Sequence, residues 1–155
     1  MQLSTVGLVV IYTGVLAAVA PGEPAPYSAV EVDPFVADQD IAFPADYQKA
    51  LVENIAREIS LAFETVIIVR QGDPPPFGHA VLRISGTVFR FQPANPVKRS
   101  LIGFGAGGTT LQARVRFADA STGQVLLIRE AKGASESVAK KIVKFCFTSH
   151  LLESN

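Results

Sequence analysis

"VKRSLIGFGAGGTTLQARVRF", Val97 to Phe117, is the stretch on which the reading of the fold turns. Its glycines at 103, 105 and 108 satisfy G-x-G-x-x-G, the spelling of a dinucleotide-binding loop. Such a loop holds phosphate only when a strand precedes it and a helix follows, because the helix's first amides and its dipole supply the anion site. Here the residues after the glycines have the wrong period. Leu111, Ala113, Val115 and Phe117 alternate with Gln112, Arg114 and Arg116, which is a half-buried strand. No lysine with a neighbouring serine or threonine completes a P-loop either. The glycines are read as a turn entering a strand, where positive φ and close backbone approach are needed.

Outward from that strand the pattern stays β on both sides. Downstream, the turn "DASTG", Asp119 to Gly123, leads into "QVLLIRE", and the pair predicts a hairpin. Upstream, "AVLRISGTVFRF" is a long strand in which Leu82 and Ile84 point inward. Phe89 and Phe91 take the opposite parity, so a bulge near Gly86 is expected. Before it come "YSAVEVDPF", a short strand ended by Pro34, and "YQKALVENIAREISLAF". In the latter Leu51, Ile55, Ile59 and Ala62 recur at helical spacing, with Pro44 and Asp46 suited to the first turn. "TVIIVR" then reads as a strand covered on both faces, and strand, helix, strand implies a parallel pair. "GDPPPFGH" is a rigid loop. "ESVAKKIVKFCFTSHLLES" places Val138, Ile142, Phe145 and Leu152 on one face of a second helix, interrupted by Ser149. The expected fold is α+β, an α/β sandwich. A strand-helix-strand unit precedes antiparallel strands in a mixed four- to five-stranded sheet, with two helices packed on it.

A chain of 155 residues with 48% hydrophobic content supports one core, and one domain over 27–155 is expected. Ahead of it, Leu3 to Ala20 carries no charge and runs into the proline-rich break "PGEPAP", residues 21–26. Residues 1–20 therefore read as an export signal, with cleavage favoured after Ala17, although no Lys or Arg precedes the apolar run. A retained membrane anchor is the alternative, since the run is about the minimum length for spanning a bilayer. Lys plus Arg and Asp plus Glu both total 14, so no net field draws the chain onto nucleic acid or an acidic membrane.

The two histidines, His79 and His150, have no motif partner, and the lone Cys146 excludes a paired-thiolate zinc site. Cys146 and His150 at i, i+4 would adjoin on a helix, but no third residue supports a nucleophile, a base or a metal site. Asp38 and Asp40 lack the further oxygen ligands and glycine of a calcium loop. No catalytic residue, metal or cofactor is implied. Arg83, Arg114, Arg116 and Arg129, with Arg90 if the bulge allows, would form a basic sheet face. Its strand aromatics face the core or lie off it, unlike those of an RNA-reading sheet.

The ordered features of "VLRISGTVFRFQPANPVKRSLIGFGAGGTTLQARVRFADASTGQVL", preceded by "FPADYQKALVENIAREI", resemble a bacterial family, domain of unknown function 4410. It is a group of envelope lipoproteins and exported proteins, and the resemblance spans about Ser28 to Gly133. It implies an α/β sandwich similar to the small domains of periplasmic assembly and secretion proteins, and no established activity. The lipobox cysteine common in such members is missing from "VLAAVA", which favours soluble export.

The expectation is an exported, periplasmic or envelope-associated, non-enzymatic module that binds an envelope protein or itself. Lys98, Arg99, Arg114 and Arg116 would provide orientation, and Leu101, Ile102 and Phe104 burial. The alternatives are a small periplasmic hydrolase or ligand-binding enzyme using His79 or the Cys146 and His150 pair, and a cytoplasmic nucleic-acid binder using the arginine face.

Overall fold

The computed structural model describes residues 27–94 and 108–153. The apolar run and linker over 1–26 lie outside the described residues, as do Lys98, Arg99, Leu101, Ile102 and Phe104. The elements in chain order are β1 (Ala29–Val32), β2 (Val36–Ala37), α1 (Ala45–Ala62), β3 (Ile67–Val69), β4 (Val81–Gln92), β5 (Thr110–Asp119), β6 (Val125–Gly133) and α2 (Ser135–Thr148). They build an α+β fold, two helices on a mixed, open, six-stranded sheet ordered β3-β1-β4-β5-β6. β1 runs parallel to both β3 and β4, whereas β4, β5 and β6 are antiparallel. The sixth strand, β2, pairs with Thr87 and Val88 farther along β4 than β1 does. It resumes that edge after Pro34, which cannot donate to the ladder.

Period two places Val30, Leu82, Ile84, Val88, Leu111, Ala113, Val115 and Phe117 on the helix side, all nearly or fully buried. Onto them α1 lays Leu51, Ile55 and Ile59, and α2 lays Val138, Ala139, Ile142 and Cys146. The helices lie side by side and run the same way. Asn54 Nδ2 donates to Ser135 Oγ at 2.7 Å near the start of α2, and the Phe63 and Phe147 rings stack at 4.6 Å near both C-terminal ends. A smaller cluster, Ala29, Val69 and Val81 with Ala120, sits on the opposite face of the sheet.

Three local expectations are corrected. The bulge lies between Val88 and Arg90, not at Gly86, which pairs regularly with Val115. Core parity therefore runs unbroken through Val88, and the inserted residue returns Phe91 to the helix side opposite Leu111. β3 is an edge strand of three residues with Ile67 39% exposed, so it is not covered on both faces. α2 stops at Thr148; Leu152 is buried off the helix, bridged to Tyr27, and Cys146 takes its place on the apolar stripe.

Candidate functional site

Strand alternation turns Arg83, Ser85, Thr87, Arg114, Arg116, Ile128 and Glu130 away from the helices, onto a face that no helix covers among the described residues. The arginines there are partnered. Arg83 Nε and Nη2 both donate to Glu31 Oε2, at 3.1 and 3.0 Å, and Nε lies 3.7 Å from Asp33 Oδ2. Burial raises the Asp33 pKa and repulsion from Glu31 adds to it, while Arg83 opposes both. Arg114 Nη2 donates to Glu130 Oε1 at 3.3 Å, and its guanidinium stands 6.0 Å from the centre of the Phe89 ring. Arg116 Nη2 donates to the Gly123 carbonyl at 3.4 Å.

Arg114 and Arg116 thus share the face on which they were expected, and Arg90 joins them opposite Gln112. Arg129 does not: it stands opposite Val115, on the helix side of the edge strand. Phe89, expected to point inward, instead lies beside Arg114 on the open face. Nucleic-acid readers need free cations and bare rings, whereas here carboxylates take two of the arginines and an arginine caps the ring.

In this face is a shallow hollow of about 360 Å³, with Pro34, Val36 and Ile128 as its apolar lining and Arg114 and Arg116 among its polar groups. Val36 is 58% exposed and Ile128 48%, high values for large aliphatic side chains. The sequence offered no sign of this hollow, since it joins residues from the Pro34 break, β4, β5 and β6.

A second hollow, of about 540 Å³, lies between the 70–80 loop and the sheet, lined by Glu31, His79, Arg83, Asp119 and several small apolar residues. Most of its polar groups are already bonded within the chain. Glu31 is taken by Arg83, and Asp119 accepts from Tyr27 Oη at 2.9 Å and from the Ser121 and Thr122 amides at 2.8 and 2.9 Å. His79 Nδ1 lies 2.8 Å from Ser28 Oγ, which ties the loop to the start of the sheet. That spacing suits a nucleophile and its base, but among the described hydrogen bonds no third group orients the imidazole.

The other pair considered for catalysis is not assembled. Cys146 is fully buried and its thiol is pushed up to about 12 by that burial, so at neutral pH it carries no nucleophilic thiolate. His150 lies beyond the end of α2 at φ 50 and is exposed. Asp38 and Asp40 are exposed, and the described residues contain no group of three or more His, Cys, Asp or Glu able to hold a metal.

The Tyr27 and Asp119 contact predicts a pH signature with two limbs. Hydrogen bonds, first from Ser121 and then from Thr122 and Tyr27, hold Asp119 down at about 2. Burial, then the Asp119 contact, pushes Tyr27 up to about 12. A depressed carboxylate contributes stability above its unfolded pKa, and that contribution is lost as pH falls through the folded value. A raised phenol contributes stability below its unfolded pKa, lost as pH rises through the folded value. Urea midpoints should therefore fall from about pH 4 toward 2 and again above about pH 10. Asp119→Asn should flatten the acid limb, and unchanged limbs in that variant would count against the contact.

A mixed sheet with two helices on one side and a partly bare second face defines the class: an α+β sandwich. The particular family follows from the sequence match, since residues 27–144 fit the family described as Domain of unknown function (DUF4410), and the chain belongs to it. Solved structures share the fold. A PelC dodecamer from Paraburkholderia phytofirmans aligns with TM-score 0.52 at 14% identity, over 84% of this chain and 93% of that one. A DUF330 protein from Xanthomonas campestris aligns with TM-score 0.50 at 13% identity, over 84% and 90% of the two chains. No curated protein matches the chain.

Proposed function

We propose that this chain is an exported envelope module that acts by protein contact, self-association included, rather than by catalysis. The observation that carries the reading is the open sheet face, which combines exposed Val36 and Ile128 with arginines already held by carboxylates. Paired charges around an apolar hollow suit a protein partner, because they orient it without adding an unpartnered charge to the buried area. The apolar run from Leu3 to Ala20 and the proline-rich break after it support export. The dodecamer formed by the PelC protein that shares this fold supports self-association. The Lys98 to Phe104 segment remains part of the proposed contact, since its basic pair Lys98 and Arg99 is followed by apolar Leu101, Ile102 and Phe104.

Export is tested by expressing the full chain with a C-terminal tag in a bacterium, fractionating the cells and reading the N-terminal residue by mass spectrometry. A start at or near Ala18, in the periplasm or medium, is expected. An intact Met1 or Gln2 in the soluble cytoplasm would overturn the export half of the proposal.

A further inference from the structure

The hollow of about 540 Å³ beneath the 70–80 loop has a volume in the range that takes a whole small molecule. Its floor is apolar and recessed because the side chains there are small. Ala29, Val69 and Val81, joined by Ala120, form their own cluster on the sheet face away from the helices. The outer wall is fixed before any ligand arrives. Pro74, Pro75 and Pro76 set three successive φ angles, the His79 amide donates to the Pro76 carbonyl at 3.2 Å, and His79 Nδ1 lies 2.8 Å from Ser28 Oγ. A cavity with a preformed wall loses little conformational entropy on filling.

The charge in this hollow does not cancel. Glu31 pairs with Arg83, and Asp33 brings a second carboxylate to that one guanidinium. Asp73 and Asp119 join no ion pair among the described residues. Arg70 and Arg116, close to them in sequence, line other hollows. Asp119 is held by neutral donors, which leave its charge intact. Its Oδ1 takes the Ser121 hydroxyl and the Ser121 and Thr122 amides, whereas Oδ2 takes only the Tyr27 hydroxyl. A carboxylate oxygen has room for two donors, so Oδ2 keeps one position open. A metal ion does not suit the missing charge, since the described residues bring together no group of three or more His, Cys, Asp or Glu able to hold one.

We infer that this hollow binds a compact organic cation, an ammonium or guanidinium group on a short apolar body. The body lies on the Val69, Val81 and Ala120 floor, an N–H of the cation donates to Asp119 Oδ2, and Asp73 adds its charge from the loop. The inference goes beyond the contact reading and does not depend on it, because this hollow shares no lining residue with the Pro34, Val36 and Ile128 hollow. Free amines and the Lys or Arg side chain of a peptide share this chemistry, and the test separates them.

The purified full chain is titrated with phenethylammonium, with the neutral phenethyl alcohol and with the anionic hydrocinnamate. Binding is followed by saturation transfer to the probe protons, a readout that does not depend on the size of the particle. The ammonium should bind saturably, the alcohol at least about tenfold more weakly, and the carboxylate not at all. Asp119→Asn should weaken the ammonium by about tenfold, and Asp73→Asn, which leaves the Asp119 turn untouched, by about threefold. Ala120→Phe, which fills the floor, should abolish binding. Tighter binding of N-acetyl-lysine or N-acetyl-arginine methylamide than of phenethylammonium would assign the site to a basic residue of a peptide, and the reverse order to a free amine; either order upholds the cation site. Equal binding of ammonium and alcohol, undiminished binding by a folded Ala120→Phe variant, or no saturation by any probe up to about 10 mM would overturn it.

Discussion

Phe35→Ala is expected to cost the fold roughly 3 to 5 kcal/mol, measured as a shift in the urea unfolding midpoint. Phe35 has no exposed surface and is one of the two largest fully buried side chains. It follows Pro34 at the break between β1 and β2, and its carbonyl accepts from Gln48 Nε2 on α1 at 2.6 Å. Truncation would leave a cavity where the helix, the broken edge and β4 meet, and a close-packed core cannot collapse fully to fill it. The loss would also loosen Pro34 and Val36, which line the hollow on the other face. A cost under about 1 kcal/mol would mean that the ring is not a core residue.

Gly86→Val should be comparably damaging, for the opposite reason. A Cβ at Gly86 would fall 2.3 and 2.6 Å from two carbons of the Phe35 ring and 2.8 Å from the Arg114 carbonyl oxygen. The first two atoms can move only with a buried ring, and the third belongs to the backbone of the neighbouring strand. Overpacking of this kind costs about 1 to 3 kcal/mol for a small excess, and valine adds two further methyls. The milder Gly86→Ala should cost less in a Phe35→Leu background than in the parent, because the two sites share one volume and their effects are not additive. Equal costs in both backgrounds would show that ring and glycine do not meet.

Those two residues also mark where the sequence stopped being informative. The β5 alternation from Leu111 to Phe117, the stripe Leu51, Ile55, Ile59 and the turn from Asp119 to Gly123 were all legible, because each is a local pattern written by its own period. At Gly86 the absence of a side chain suggested a bulge, whereas the glycine serves a close approach by Phe35, 51 positions earlier in the sequence. The real bulge at Phe89 was obscured because both faces of β4 carry apolar residues there, so parity alone could not tell the inserted residue from its neighbours. Whether "TVIIVR" is central or at an edge depends on strand order, which no β-branched run encodes.

The site was legible only in part, for the same reason. Arg114 and Arg116 could be placed on one face by period two. Their neighbourhood could not, since Glu31 and Arg83 lie 52 residues apart and meet only because β1 and β4 pair. Phe77 shows the limit most plainly. Phenylalanine in a sequence counts toward the core, and only the geometry of the proline loop reveals a fully exposed ring. The stiffness of that loop, by contrast, was readable directly from three successive prolines.

Sedimentation of the purified full chain over roughly 1 to 100 μM, a range that captures dissociation constants typical of specific self-association, bears most directly on the self-association in the proposed function. The account predicts a particle larger than one chain that dissociates on dilution. A single monomeric species across the whole range would contradict it.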